Sequence, residues 1–187
     1  RGHLVLPVQK DDSLRVGQAF VPMHWGDRFL KGLGVNVIPL PAFDPLSKQP
    51  ELKHAGIEVE AVDLPWQFFA LVEGSVQQRF EALRPLFDGF AYASFSLAGR
   101  ERPALVIRAA CTEAPSAAQL ARFDQLLGLD EGPVVAYDDP RRAVGKRVRI
   151  DEGRIVALSL SGETAARHWL KTLWQDGKAN AALRRWL

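Results

Sequence analysis

The chain of 187 residues has a single cysteine, Cys111, and this scarcity excludes several kinds of site. One thiol cannot close an internal disulfide, and by itself it cannot hold an iron–sulfur cluster or a thiolate zinc site. A chain without disulfides fits a reducing compartment, so we expect a cytoplasmic protein. The four histidines, at positions 3, 24, 54 and 168, lack the spacing of metal ligands, and we predict no metal site.

Long apolar runs, a strong charge of one sign and the short motifs of common enzymes are also missing. No apolar stretch approaches the ~20 residues that cross a bilayer, and no signal peptide is visible, so we predict no membrane contact. The formal net charge of +2 indicates no dominant polyanionic partner. The chain has no G-x-S-x-G, G-x-G-x-x-G or Walker pattern, and we predict no catalytic residue.

The densest basic run has two interpretations. It contains Arg141, Arg142, Lys146, Arg147 and Arg149. Acidic residues flank this run, and no aromatic side chains alternate with it as single-strand nucleic-acid binders require. A solvated hairpin face is therefore favoured over an anion or nucleic-acid patch, and we predict no nucleic-acid partner.

Turn-forming residues at Asp63-Leu64-Pro65 indicate a boundary between two parts of the chain. The first part predicts strands over 4–9, 16–23 and 57–62, and a short helix at 28–31 that ends at Gly32 and Gly34.

The second part predicts a helix over 76–87 and strands over 66–72, 90–97, 104–110 and 133–137. With the helix after Ser116 they give the order β-α-β-β-α-β, which is typical of ferredoxin-like sandwiches. Its helix after Ser116 begins with a capping box. A hairpin of strands at 144–150 and 154–160, a helix over 163–174 and a short last helix over 178–187 complete the prediction. We therefore predict an α+β protein with domains at 1–61 and 62–187.

The most informative stretch is the run GQAFVPMHW, residues 17–25, because two further motifs come after it in a fixed order. Asn36 is the first of them, and the loop DPLSKQPELK, residues 44–53, is the second. In this order the motifs resemble the C-terminal, dinucleotide-binding domain of molybdopterin oxidoreductases, and most of all the assimilatory nitrate reductases. The resemblance covers about residues 1–61. It implies part of a double-psi-type β-barrel that grips one tail of a molybdopterin guanine dinucleotide.

The resemblance implies cofactor-binding roles for His24, Trp25, Asn36 and Lys53. Histidine, tryptophan and asparagine side chains supply the donors and acceptors that suit a pterin or guanine edge, and a lysine supplies a compact charge for a pyrophosphate.

Structural alternatives stand beside these roles. His24 can be a satisfied strand-end histidine and Trp25 a core residue. Asn36 can be a left-handed turn residue. The loop can be a solvated turn in which Asp44 caps the backbone, and for Lys48 we favour that surface interpretation.

A second resemblance lies between Tyr137 and Leu170, through the run AVGKRVRIDEGRIVALSLSGET. This segment is similar to the C-terminal module of flavin-dependent NADH:nitrite reductases, where a hairpin and helix serve packing or dimerisation. It implies that residues 62–187 form an accessory domain.

Together the resemblances imply a C-terminal fragment of a cytoplasmic, molybdenum-dependent nitrate reductase of nitrate assimilation. The start at Arg1-Gly2-His3, without methionine, indicates a piece of a longer protein. We expect the isolated chain to be inactive, with the remainder of the parent enzyme and an electron-donor protein or iron–sulfur module as partners. The alternatives are a protein–protein or dimerisation module, which a stable dimer through 144–187 would support, and another molybdopterin oxidoreductase such as a formate dehydrogenase or another oxyanion reductase.

Overall fold

The computed structural model describes residues 2–51, 54–177 and 183. The chain divides into two units, Arg1–Val62 and Asp63–Leu187. The described part of the first unit consists of turns, a short 3₁₀ helix at Val35–Val37, and isolated antiparallel bridges that include Gly26–Gly34 and Phe43–Pro50. The second unit contains long strands and helices, so the general class is α+β, as predicted.

The strands predicted over 4–9, 16–23 and 57–62 are wrong, because the described residues there form none. The short helix predicted at 28–31 is also wrong, since this stretch forms a hydrogen-bonded turn instead. Alternating apolar residues express a local preference only. A strand forms where a neighbouring strand satisfies its backbone donors and acceptors, and for these segments the described chain supplies no such neighbour.

The described part of the second unit is built on a six-stranded antiparallel sheet with the order β2-β3-β1-β6-β5-β4. Its strands are β1 Trp66–Glu73, β2 Tyr92–Ala98, β3 Ala104–Cys111, β4 Val134–Asp139, β5 Val144–Asp151 and β6 Arg154–Gly162. Its helices are α1 Val76–Leu83, α2 Ala117–Leu127 and α3 Arg167–Gln175. A 3₁₀ helix at Arg84–Gly89 continues α1. The last helix predicted over 178–187 lies outside the described residues, except for Leu183.

The predicted β-α-β-β-α-β order is confirmed, with one change in the sheet. Strands β2, β3 and β1 are neighbours, as in a ferredoxin-like sandwich. The place beside β1 that the fourth strand of such a fold occupies is taken by β6, which pairs with β1 from Gln67–Gly162 to Val72–Ala157. Strand β4 lies at the far edge, and the β4-β5-β6 meander extends the sheet.

Both faces of the central strand β1 are buried, which explains its nearly continuous apolar sequence. On one face Phe68 packs against Phe123 of α2, with ring centroids 4.9 Å apart. On the other face Phe69 and Leu71 belong to a core cluster that contains Trp174 of α3. Each large apolar side chain fully buried in this way stabilises the fold by roughly 1.5–3 kcal/mol.

Helix α2 is fixed at both ends. The Ser116 hydroxyl accepts a hydrogen bond from the Gln119 amide at 3.2 Å, which confirms the predicted cap. Gly128, at φ 65°, ends the helix in the left-handed conformation. Two arginines then bind its terminal carbonyls: Arg79 of α1 donates to Leu126 O at 2.6 Å, and Arg149 of β5 donates to Gly128 O at 2.8 Å. Positive charge at this end also complements the helix dipole.

Three residues of the basic run lie on strand β5. Their side chains contact other residues of the second unit, so they do not form the solvated face that was predicted. Lys146 pairs with Glu163 at 3.2 Å. Arg147 contacts Asp124 and Asp138, both at 3.0 Å. Since Arg149 binds the end of α2, all three cations serve contacts inside the second unit.

We expect Asp124 to make the free energy of unfolding of the second unit depend measurably on pH. Burial raises the pKa of its carboxyl, and Arg147 and the Ser159 hydroxyl only partly oppose this effect. A raised folded-state pKa means that Asp124 contributes stability below its unfolded pKa of about 4. That contribution is lost as the pH rises through the folded value. Relative to Asp124→Asn, the wild type should therefore lose free energy of unfolding as the pH increases from about 4.

Denaturant titrations of both proteins across this pH range measure the difference. Glu163→Gln is the control, because the contribution of Glu163 to the free energy of unfolding should change with pH in the opposite direction. The Ala165 amide holds the pKa of the Glu163 carboxyl below its usual range, and Lys146 and Arg142 reinforce this. Glu163 therefore contributes stability above its unfolded pKa, and the contribution is lost as the pH falls through the folded value. A pH-independent gap between wild type and Asp124→Asn would contradict the assignment.

Candidate functional site

The structure brings the backbones that carry three predicted site residues side by side. The Val35 amide donates to the Trp25 carbonyl oxygen at 2.9 Å. Gly26 and Gly34, the next pair along, form an antiparallel bridge. Asn36 follows Val35 within the 3₁₀ helix. The His24-Trp25 pair and Asn36, which are separated by a turn in sequence, therefore lie on two adjacent segments.

Gly34 makes this pairing possible, and the sequence interpretation treated it only as the end of a helix. Its φ of 72° is in the left-handed region. A Cβ atom at this position would lie 2.5 Å from both Cα and the carbonyl carbon of Gly26. The two glycines themselves are the signal in the sequence that would have identified this contact, because glycine lets two backbones approach closely.

The pairing holds a tight turn between its two segments. The amides of Phe29 and Leu30 both donate to the Gly26 carbonyl oxygen, at 3.0 and 3.1 Å. Leu30 is 1% exposed and Val35 is 7% exposed. These two apolar side chains are therefore buried, whereas the polar side chains of His24 and Asn36 are exposed to solvent.

The side chains of His24 and Asn36 are exposed and that of Trp25 is half-buried. The left-handed alternative for Asn36 is wrong, because Asn36 lies within the 3₁₀ helix and not among the residues of positive φ. The strand-end alternative for His24 is also wrong, since the residues before it form no strand. Their cofactor-binding role stays a prediction.

The DPLSKQP loop is a structured turn built on Asp44. One carboxylate oxygen, Oδ1, accepts hydrogen bonds from the Leu46 amide at 3.0 Å, the Ser47 amide at 2.6 Å and the Ser47 hydroxyl at 2.9 Å. These bonds, led by the Ser47 amide, hold the pKa of the Asp44 carboxyl below its usual range. The interpretation of Asp44 as a capping residue is confirmed.

The ends of this loop are closed by backbone hydrogen bonds. The Asp44 amide donates to Gln49 O, and the Glu51 amide donates to Ala42 O, both at 2.9 Å. Lys48 at the tip is exposed and has a φ of 57°, in agreement with its surface interpretation. Lys53, the predicted pyrophosphate ligand, lies outside the described residues.

The chemistry available here is that of hydrogen-bond recognition. An exposed imidazole, an exposed amide and a half-buried indole offer neutral donors and acceptors, and the indole adds an apolar plate. Among the residues that the structure describes, no three His, Cys, Asp or Glu side chains are grouped as a metal ion would require.

Comparison with known proteins gives two matches for this N-terminal segment. Residues 1–56 match the family model "Molydopterin dinucleotide binding domain". The chain is also similar to a nitrate reductase of Klebsiella oxytoca, with 37% identity over 59 residues. These two matches confirm the resemblance of the N-terminal segment to molybdopterin nitrate reductases. No solved structure matches the chain.

The similarity is confined to a small part of both proteins. The aligned segment is 32% of this chain and 7% of the Klebsiella nitrate reductase. Residues beyond the matched segment, including the Tyr137–Leu170 stretch that resembles nitrite reductases, keep their interpretation as a prediction. None of the helices in the described ranges has the length and apolar character needed to cross a membrane.

Proposed function

We propose that this chain is the C-terminal part of a molybdenum-dependent nitrate reductase, and that it helps to bind a molybdopterin guanine dinucleotide. The observation that carries the proposal is the match of residues 1–56 to the dinucleotide-binding family, a segment that contains the backbone pairing of Trp25 and Gly26 with Val35 and Gly34. In the parent enzyme, segments of residues 1–61 complete part of a double-psi-type barrel with strands of the remainder. The isolated chain is inactive, and the parent is cytoplasmic and serves nitrate assimilation.

The residues present fit such a cofactor. Pterin and guanine rings carry alternating donors and acceptors along one edge, and an asparagine amide offers both kinds of group. His24 and Asn36 are exposed and lie on the two segments that the Gly26–Gly34 bridge joins, and in this proposal one flat ring system contacts both. In this proposal Trp25 supplies an apolar plate and Lys53 neutralises the pyrophosphate. The bound cofactor would supply the two-electron reduction of nitrate to nitrite, while this chain positions it.

The second unit is proposed as an accessory domain for contacts with the remainder of the enzyme and with an electron-donor protein or iron–sulfur module. Its described cations at 146, 147 and 149 are engaged in contacts within the unit. This internal use of the charges supports a packing role over recognition of nucleic acid.

The proposal is tested on the parent enzyme, produced in a host that makes the cofactor. We expect stoichiometric molybdenum and nitrite formation from nitrate with a reduced dye. His24→Ala and Asn36→Ala should each lower retention of the dinucleotide by about tenfold or more, because each removes a hydrogen-bonding group from a site built for it. Retention is measured as molybdenum and guanine nucleotide released from the purified protein.

His54→Ala is the matched control, because His54 is also exposed but follows the DPLSKQPELK loop, outside the pairing. It should retain the cofactor as the wild type does. A well-folded parent without molybdenum would overturn the proposal. Molybdenum without nitrite formation would keep the cofactor assignment and contradict the substrate.

A further inference from the structure

Two arginines meet at the C-terminal end of α2 without an acidic partner. Arg79 of α1 donates to Leu126 O at 2.6 Å, and Arg149 of β5 donates to Gly128 O at 2.8 Å. Both acceptors are uncharged backbone carbonyls that are two residues apart at one helix end. Within the described ranges, neither guanidinium forms an ion pair with a carboxylate. The two neighbouring cations of β5 are, by contrast, paired with acidic side chains.

The positive charges of these two side chains act on each other. Both side chains are half-buried. Burial lowers the pKa of the Arg79 guanidinium, and the charge of Arg149 lowers it further. An arginine nevertheless stays protonated in a protein, so like charges are held near each other and partly out of water. This arrangement is unfavourable without a negative partner, and an anion bound between the two guanidiniums would supply one.

The end of α2 fixes the arginines but uses few of their donors. A Cβ atom on Gly128 would lie 2.6 Å from Arg149 Nη1, so this guanidinium rests directly on the helix end. Each arginine donates to its carbonyl through Nη1. A guanidinium has five N–H groups, and the residues that the structure describes provide no second acceptor for Arg79 or Arg149. Both side chains therefore keep donors for a ligand.

We propose that Arg79 and Arg149 form a binding site for a phosphate group at the C-terminal end of α2. A guanidinium binds phosphate oxygens through two parallel hydrogen bonds. A tetrahedral anion has enough oxygens to accept from two arginines on different elements, whereas one guanidinium is sufficient for a planar carboxylate. The helix end carries only a partial negative charge, which two full positive charges exceed. The site lies in the second unit, and it does not depend on the cofactor-binding role proposed for the first unit.

The test measures binding of inorganic phosphate to the full chain by isothermal titration calorimetry at constant ionic strength. We expect saturable binding at one site, and an increase of about tenfold or more in the dissociation constant for Arg149→Gln, because a charge-assisted contact is lost. Circular dichroism verifies the fold. Arg149→Lys is the second variant should Arg149→Gln fail to fold. It keeps the charge and a donor for Gly128 O but loses the planar guanidinium, so its affinity should lie between those of the wild type and Arg149→Gln.

Arg122→Gln is the matched control, because it removes the same charge from an exposed position of the same helix. It should leave the dissociation constant for phosphate unchanged. Sulfate, which has the same shape, should compete with phosphate, and acetate at the same concentration should not. The proposal would be overturned if phosphate did not bind saturably, or if neither substitution of Arg149 weakened its binding. Acetate that bound as tightly as phosphate would also overturn it, since the site would then recognise a carboxylate.

Discussion

Replacing Trp174 with alanine is expected to lower the free energy of unfolding of the second unit by about 3–5 kcal/mol. Trp174 is 2% exposed and belongs to the core cluster between α3 and the sheet. Truncation removes its apolar contacts and leaves a cavity that a close-packed interior fills only in part. This is the largest effect that we expect from one side chain of the described helices.

Trp174 also organises a polar contact at the edge of this core. Its indole N–H donates to Glu73 Oε1 at 2.5 Å, and its carbonyl oxygen accepts from Arg102 Nη2 at 2.5 Å. Arg102 Nη1 donates to the same Glu73 oxygen at 2.9 Å. Trp174→Phe keeps most of the ring and removes the indole donor while Glu73 retains Arg102. It should therefore cost only about 1 kcal/mol.

Denaturant unfolding followed by far-ultraviolet circular dichroism measures both variants. Trp169→Ala is the matched control on the same helix, because Trp169 is 36% exposed and its truncation removes less buried area. The order of destabilisation should be Trp174→Ala, then Trp169→Ala. Equal losses for the two alanine variants would contradict the view that α3 is held to the sheet mainly through Trp174.

Replacing Gly34 with alanine should open the pairing that brings Trp25 and Asn36 together. The new Cβ would meet backbone atoms of Gly26 at 2.5 Å, and backbone cannot move aside as a flexible side chain can. The left-handed conformation adds strain for any residue with a side chain. We expect a conformational cost of roughly 1–3 kcal/mol and an overpacking cost of about 1–3 kcal/mol.

Hydrogen exchange of the Val35 amide gives the direct measurement, since this amide is bonded to Trp25 O in the wild type. We expect exchange about tenfold faster or more in Gly34→Ala, because local opening then costs less free energy, and loss of bound cofactor in the parent enzyme. Gly26→Ala is the matched control: a Cβ there meets nothing within 4 Å, and its amide exchange should be close to that of the wild type. Unchanged protection of Val35 in Gly34→Ala would show that the two segments are not held by this contact.

In the second unit, sequence patterns are sufficient to predict the positions of several strands and helices. The strand predicted at 104–110 is observed at Ala104–Cys111, and that predicted at 144–150 is observed at Val144–Asp151. The helix predicted over 76–87 changes to a 3₁₀ helix at Arg84, next to Pro85, which cannot donate the helical hydrogen bond. Each of these strands finds a partner inside the same unit, so local preference and tertiary pairing agree.

In the first unit the same patterns predict strands that do not form, because a strand also needs a neighbouring strand as its hydrogen-bonding partner. Residues 16–23 were predicted as a strand, yet the described segment has no paired neighbour and remains irregular. Turns are easier to predict from sequence, since their hydrogen bonds join residues only a few positions apart. Asp44, for example, caps its own loop as predicted. Sequence reasoning also singled out His24, Trp25 and Asn36 by their order, whereas the Gly26–Gly34 contact became evident only in three dimensions.

Local periodicity, turn residues and motif order were enough to establish the α+β class, the order of elements in the second unit and the resemblance of the first unit to a molybdopterin dinucleotide-binding domain. Three-dimensional packing was needed to show that β6 and not β4 lies beside β1, and that three cations of the basic run are used inside the second unit. Strand neighbours and ion pairs join residues far apart in the chain, and their free energy depends on burial and distance, which no local pattern records.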